Sequence, residues 1–231
     1  MTDTATRTVP LAASRAATLG AALAVPAAPP AVTVLPAARP KVAVLLESDF
    51  LEPEIFYYRH RFAEAGFDVH FLSRLWGQSS LTFHGHEFRA PFTVTESLQD
   101  VPDAELRTYD AVIVPSGIVA DRLRYSERPR DLSPATDFLR RAFAEPTITK
   151  GVICHGLWLV AKVPGTVRGR RVTCHNNLVG DIDNMGAVYT DQDVVVDGDL
   201  VTGRSGDLCH LFAARLIEAT LARRLVRKAA P

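Results

Sequence analysis

Short stretches that are apolar at nearly every position constrain this chain more than any other feature. Lys41–Leu46 (KVAVLL), Asp68–Ser73 (DVHFLS) and Tyr109–Pro115 (YDAVIVP) have the length of single strands, and Gly151–Cys154 (GVIC) closes a fourth run. A strand with one face in water alternates apolar and polar residues. A strand that is apolar throughout is covered on both faces, as in a parallel sheet. Between the first two runs, Ile55, Tyr58, Phe62 and Ala65 recur at helical spacing over residues 53–66, with Pro53 suited to the first helical position and Gly66 to the stop. Together they predict a β-α-β unit.

The rest of the chain continues the alternation. Ser133-Pro134 opens a helix carrying Phe138, Leu139 and Phe143, and a helix over 155–162 is expected to follow the fourth strand. Arg171–His175 reads as a short strand. Val194–Val201, broken by an Asp-Gly pair, reads as a hairpin. A last helix over about 206–223 puts Leu208, Phe212, Leu216 and Ala219 on one face, and residues 80–95 resemble a small antiparallel excursion. The expected fold class is α/β, with a mostly parallel central sheet and a small antiparallel hairpin added.

Composition narrows the partners. The 231 residues hold 26 basic and 26 acidic side chains, so there is no basic stripe of the kind a phosphate backbone needs, and nucleic acid is not expected as a partner. No apolar run reaches the roughly 18 residues of a membrane span. Cys154, Cys174 and Cys209 are too few for a disulfide framework and fit a reducing compartment, hence a cytoplasmic location. Residues 1–40 contain 13 Ala, six Pro, no aromatic residue and a single acid, Asp3. They read as a disordered or loosely packed extension ahead of a domain over 41–225, with 226–231 as a tail. Arg7 and Arg15 ahead of Ala16–Val25, with Ala22-Leu23-Ala24 as a cleavage-like step, leave export as the alternative.

The chemistry concentrates in Gly151-Val152-Ile153-Cys154-His155-Gly156-Leu157-Trp158. A buried strand ends at a thiol and a helix is expected to start at once, the arrangement that lifts a nucleophile out of an open sheet at its carboxyl edge. The N–H groups of that helix should favour thiolate and pull Cys154 below the usual thiol value of about 8.5. The alternative is a small cysteine packed inertly at a strand end. Glu52-Pro53-Glu54 opens the helix after the first strand, at the same edge. A carboxyl there can reach the thiol as a proton donor or base, or can simply favour the helix N-terminus. Ser116-Gly117-Ile118 after the third strand can offer backbone N–H groups to a developing oxyanion.

In combination and order, these segments resemble the ThiJ/PfpI superfamily over roughly residues 41–221, with Arg168-Gly169-Arg170 and the Val194–Gly198 hairpin adding to the likeness. The resemblance implies a flavodoxin-like sandwich, usually dimeric or a higher homo-oligomer. It matches Cys154 to the family's reactive cysteine and Glu54, rather than Glu52, to the glutamate that hydrogen-bonds it. His155 matches the histidine of the peptidase-like branch. Asp121 matches the acid that a neighbouring subunit supplies in that branch, and Gly117 and His155 the backbone oxyanion contacts, with Ile118 beside them. The chain departs from the pattern at Ser116, where the family often has Gly, and at Leu157, where it often has Pro. Ser116, Trp158, His175 and Asn176 would then line a pocket that is partly aromatic and partly hydrogen-bonding.

The function expected is cysteine-dependent hydrolase, lyase or hydratase chemistry on a small carbonyl, amide or related electrophile, with no cofactor. The alternatives are peptidase-like hydrolysis in an oligomer, and a non-enzymatic oxidation sensor or chaperone acting through Cys154. A glutamine amidotransferase fits less well, because His210 is followed by Leu211 and Phe212 and not by a His-x-Glu pair. Cys174-His175, Cys209-His210 and His84-x-His86 match no zinc spacing, so no metal is expected.

Overall fold

The computed structural model describes residues 38–229, Asp100 excepted, with the backbone alone for residues 228–229. The expectations for residues 1–37 and 230–231 lie outside the described residues.

The strands run in chain order as β1 (Lys41–Leu45), β2 (Asp68–Ser73), β3 (Leu81–His84), β4 (Pro91–Val94), β5 (Glu96–Ser97), β6 (Ala111–Val114), β7 (Thr149–Ile153), β8 (Arg171–Val172), β9 (Val188–Tyr189), β10 (Val194–Asp197) and β11 (Leu200–Gly203). The α-helices are α1 (Glu52–Glu64), α2 (Asp103–Leu106), α3 (Val119–Leu123), α4 (Pro134–Ala144), α5 (Val179–Met185) and α6 (Cys209–Ala229). Seven strands form one sheet in the order β10-β11-β7-β6-β1-β2-β5. All its pairings are parallel except β10 with β11, which turn back through Gly198-Asp199 with Gly198 at φ +62°. The all-apolar runs mean what their composition implies: Val42 through Leu46 and Ala111 through Val114 are fully buried, so both faces of the central strands are covered. Burying each such Val, Leu or Ile side chain contributes about 1.5–3 kcal/mol.

Local signals place the elements that carry the site. Pro53 sits in the first turn of α1, Ile55, Tyr58 and Phe62 are its buried stripe, and Gly66 follows at φ +85°. Ser133 caps α4, its hydroxyl accepting from Thr136 N at 3.1 Å. The excursion is the β3–β4 hairpin. It is docked by Glu52, whose carboxylate accepts from Glu87 N (3.1 Å) and Phe88 N (2.8 Å).

Three expectations need correction. The segment after β7 is not a helix over 155–162 but a 3-10 turn, Gly156–Val160. Pro164 keeps Val163 out of the helical region (φ −129°, ψ 56°) and so bounds the segment on its far side. Gly156 is also pressed onto the sheet, where a Cβ would lie 2.8 Å from Val152 Cγ1 and 3.0 Å from the Val114 carbonyl. Arg171–His175 contributes only two strand residues, paired with β9 outside the main sheet. Thr173 leaves that ladder because its N–H donates to Thr202 Oγ1 (2.9 Å) and its hydroxyl to the Gln192 carbonyl (2.7 Å). The last helix is preceded by a 3-10 turn at Gly206–Leu208 and continues to Ala229. Among the described residues no helix is long and apolar enough to cross a membrane.

Candidate active site

Cys154 stands one residue beyond the end of β7, in the middle of the sheet, with φ +59°. A non-glycine residue in this region is strained, at a cost on the order of 1–3 kcal/mol, and is held there only by its surroundings. Its N–H donates to the Gly203 carbonyl at 2.8 Å and its carbonyl accepts from His175 N at 3.3 Å. The side chain is therefore turned out of the β ladder while the backbone stays tied on both sides. Cys154 remains 8% exposed.

The N–H groups of Gly206, His155 and Gly117 face the sulfur and favour its thiolate. They come from three loops at the carboxyl edge, after β11, β7 and β6. Gly117 is at φ +77°, and a Cβ there would meet the Asp49 carbonyl at 2.9 Å, so this turn requires glycine. Ile118, grouped with these donors from sequence, points elsewhere: its N–H is directed at the Asp49 carbonyl, 3.5 Å away. Gly206 was missed from sequence. Only the strand order, which sets β11 beside β7, brings the Gly203–Gly206 loop to the cysteine.

The expectation of a depressed thiol value is also corrected. Burial pushes the Cys154 thiol up, the Glu54 carboxylate pushes in the same direction, and the three N–H groups offset this only in part. The five-residue 3-10 turn supplies less than a full α-helix would. Cys174, sealed in the core, is pushed up to about 12, chiefly by burial. Cys209, half-buried at the start of α6, is pushed up to about 11 for the same reason.

Glu54 is 1% exposed. Its carboxylate accepts from Ser116 N (3.2 and 3.0 Å to the two oxygens) and from the Ser116 hydroxyl. The Tyr58 hydroxyl lies beside it, buried and without a fully formed hydrogen bond. Burial raises the Glu54 pKa from 4.5 to about 7, against the pull of these neighbours. The carboxyl group's hydrogen bonds run to Ser116, and it acts on Cys154 through its charge. Glu52 is the structural member of the pair, committed to the hairpin.

His155 stacks on Trp158 (centroids 4.9 Å apart, 25° between planes) and meets His175 edge-on at 4.8 Å. Its Nε2 is buried without a partner. Burial, with His175 adding to it, lowers the His155 pKa below 6.5, so the ring is neutral at pH 7. Trp158 is anchored by Nε1 donating to Asp181 at 3.2 Å. His175 Nδ1 accepts from Asn177 N at 3.4 Å, and Asn176 is exposed. Asp121, in the first turn of α3, is exposed, and its carboxylate bonds to none of the described residues.

A cavity of about 280 Å³ opens beside Glu54, lined by Leu51, Pro53, Glu54, Glu87, Gly206, Asp207 and Cys209. Of the residues expected to line a pocket, Ser116 is fully buried and supports Glu54 from beneath, while Trp158 and His175 pack around His155. Among the described residues no cluster of three or more His, Cys, Asp or Glu is arranged to hold a metal ion.

Comparison with known proteins supplies the context. A model described as the DJ-1/PfpI family matches residues 40–219. Protein/nucleic acid deglycase 2 of Escherichia coli (strain K12) is 33% identical over 183 residues, covering 78% of this chain and 98% of the relative. Deglycase PfpI of Pyrococcus furiosus is 30% identical over 171 residues, covering 73% and 92%. In fold, the chain is similar to the crystal structure of Drosophila melanogaster DJ-1beta, with a TM-score of 0.67 at 21% identity over 83% of this chain and 97% of that one.

Proposed function

Because the chain belongs to the DJ-1/PfpI family, we propose that it is a cysteine-nucleophile enzyme acting on a small carbonyl compound or a carbonyl-derived adduct, the class to which the deglycase names of its relatives point. The observation that carries this reading is Cys154 in a left-handed turn with N–H groups from three loops aimed at its sulfur. Neutral His155 takes the thiol proton. The sulfur then adds to the carbonyl carbon, and the π electrons move to oxygen, where the Gly117, His155 and Gly206 N–H groups receive the charge. Protonated Glu54 delivers its proton to that oxygen, giving the hemithioacetal. No acid among the described residues bonds His155, so in this reading the Asp121 carboxylate of a second copy orients it in a homodimer or higher assembly.

The test is turnover of a panel of α-oxoaldehydes, amides and isonitriles by the full chain and by Cys154→Ser. Consumption of an α-oxoaldehyde that falls at least about 10³-fold in the variant supports the reading. Turnover of none of the three classes, or turnover that survives the substitution, overturns it.

A further inference from the structure

Ser116 takes no part in the reaction just described, yet it makes every fully formed hydrogen bond to the Glu54 carboxyl group among the described residues. Its N–H reaches both carboxylate oxygens and its hydroxyl donates to Oε2. The hydroxyl is also confined from the other side, since a Cβ on Gly206 would lie 2.6 Å from Ser116 Oγ. Gly206 therefore packs closely against the hydroxyl, and Ser116 ties the loop after β6 to the first turn of α1. Ser116 itself is fully buried, so no water competes for the hydroxyl.

We infer that Ser116 is a positioning residue: its hydroxyl holds Glu54 in place and biases where the proton shared between that carboxyl group and its surroundings resides, thereby setting how readily Cys154 reacts. The inference rests on Cys154 being the nucleophile. A donated O–H stabilises a carboxylate and not a carboxylic acid. Within reach of Glu54 stand Cys154 from the elbow after β7, Tyr58 from its own helix, and Cys209 from the start of α6. Glu87 and Asp207 share its cavity. No cation is among them, which leaves the Ser116 hydroxyl as the main group opposing the effect of burial. Without it, Glu54 stays protonated to higher pH. The negative charge beside Cys154 then disappears over a wider range, and the thiolate forms more easily.

The test measures alkylation of Cys154 by iodoacetamide, mapped by peptide mass spectrometry on the full chain, between about pH 5 and 9. Wild type, Ser116→Ala, Ser116→Gly, Glu54→Gln and the Ser116→Ala/Glu54→Gln pair are compared, with melting curves to confirm folding. Two serine variants are included so that one failing to fold leaves the other to decide. In either variant the inflection belonging to Glu54 should move up by roughly one pH unit, and labelling near neutrality should quicken. In the Glu54→Gln background, Ser116→Ala should change nothing further. An unmoved inflection in a folded serine variant, or a shift that persists without Glu54, overturns the inference and leaves the nucleophile intact. Absence of Cys154 labelling in folded wild type at every pH removes the proposed function, and the inference with it.

Discussion

Two buried carboxyl groups sit at opposite ends of the same sheet and have opposite company. Asp110, 6% exposed at the entry to β6, accepts from Lys41 N at 3.0 Å and pairs with Arg224 and Arg227 from the far end of α6. Glu54, at the carboxyl edge, has no cation among the described residues, only the dipoles of Ser116 with the Tyr58 hydroxyl beside it. The first arrangement joins the start of two strands to a helix and is complete in itself. The second leaves a proton that can move near neutral pH, next to a strained cysteine. A carboxyl group buried without a counter-charge is costly to keep, and such groups mark sites of proton transfer more often than points of structural support.

Substitutions at the two ends sharpen the contrast. Glu54→Gln should lower turnover about 10²-fold or more while leaving the fold intact, since it removes the acid but keeps the shape; steady-state kinetics with whichever α-oxoaldehyde of the panel is consumed decide it. The same variant should change how stability depends on pH. The folded state holds the Glu54 proton up to about pH 7, whereas the unfolded chain releases it near 4.5. The folded state therefore binds the extra proton across that window, and stability from this group is full below 4.5 and lost as pH rises through 7. Urea titrations should show Glu54→Gln gaining on wild type by roughly 2–3 kcal/mol between pH 4.5 and 8. The smallest effect belongs to the other end. Asp110→Asn should cost about 1–3 kcal/mol of stability by stranding Arg224 and Arg227, and should leave turnover unchanged.

The sequence makes the sheet and the thiol legible for a physical reason: both are local. An apolar run covered on both faces announces itself without its neighbours, as Val42–Leu46 does, and so does a cysteine between a strand and Gly156. The Asp-Gly hairpin signal also held, with the turn shifted by one residue to Gly198-Asp199. What depends on distant parts of the chain was not legible. Gly206 faces Cys154 only because β11 lies beside β7. The Ser116 hydroxyl, visible as a departure from the family pattern, was assigned to a pocket wall because nothing local shows that it lies beneath Glu54. The upward push on the Cys154 thiol comes from burial and from Glu54, neither of which spacing can reveal. The helix expected after Cys154 is a 3-10 turn instead, with Gly156 pressed onto Val152 and the Val114 carbonyl, a contact that only the folded sheet creates.

Glu54 keeps its proton near neutral pH because burial strips it of water and, among the described residues, no cation stands beside it. A difference infrared titration of wild type against Glu54→Gln tests this directly, following the carbonyl stretch of a protonated carboxylic acid. A band absent from the variant should persist at pH 5 and disappear as pH rises through about 7. A band already lost near the ordinary glutamate value of about 4.3, or one that Glu54→Gln does not remove, would contradict it.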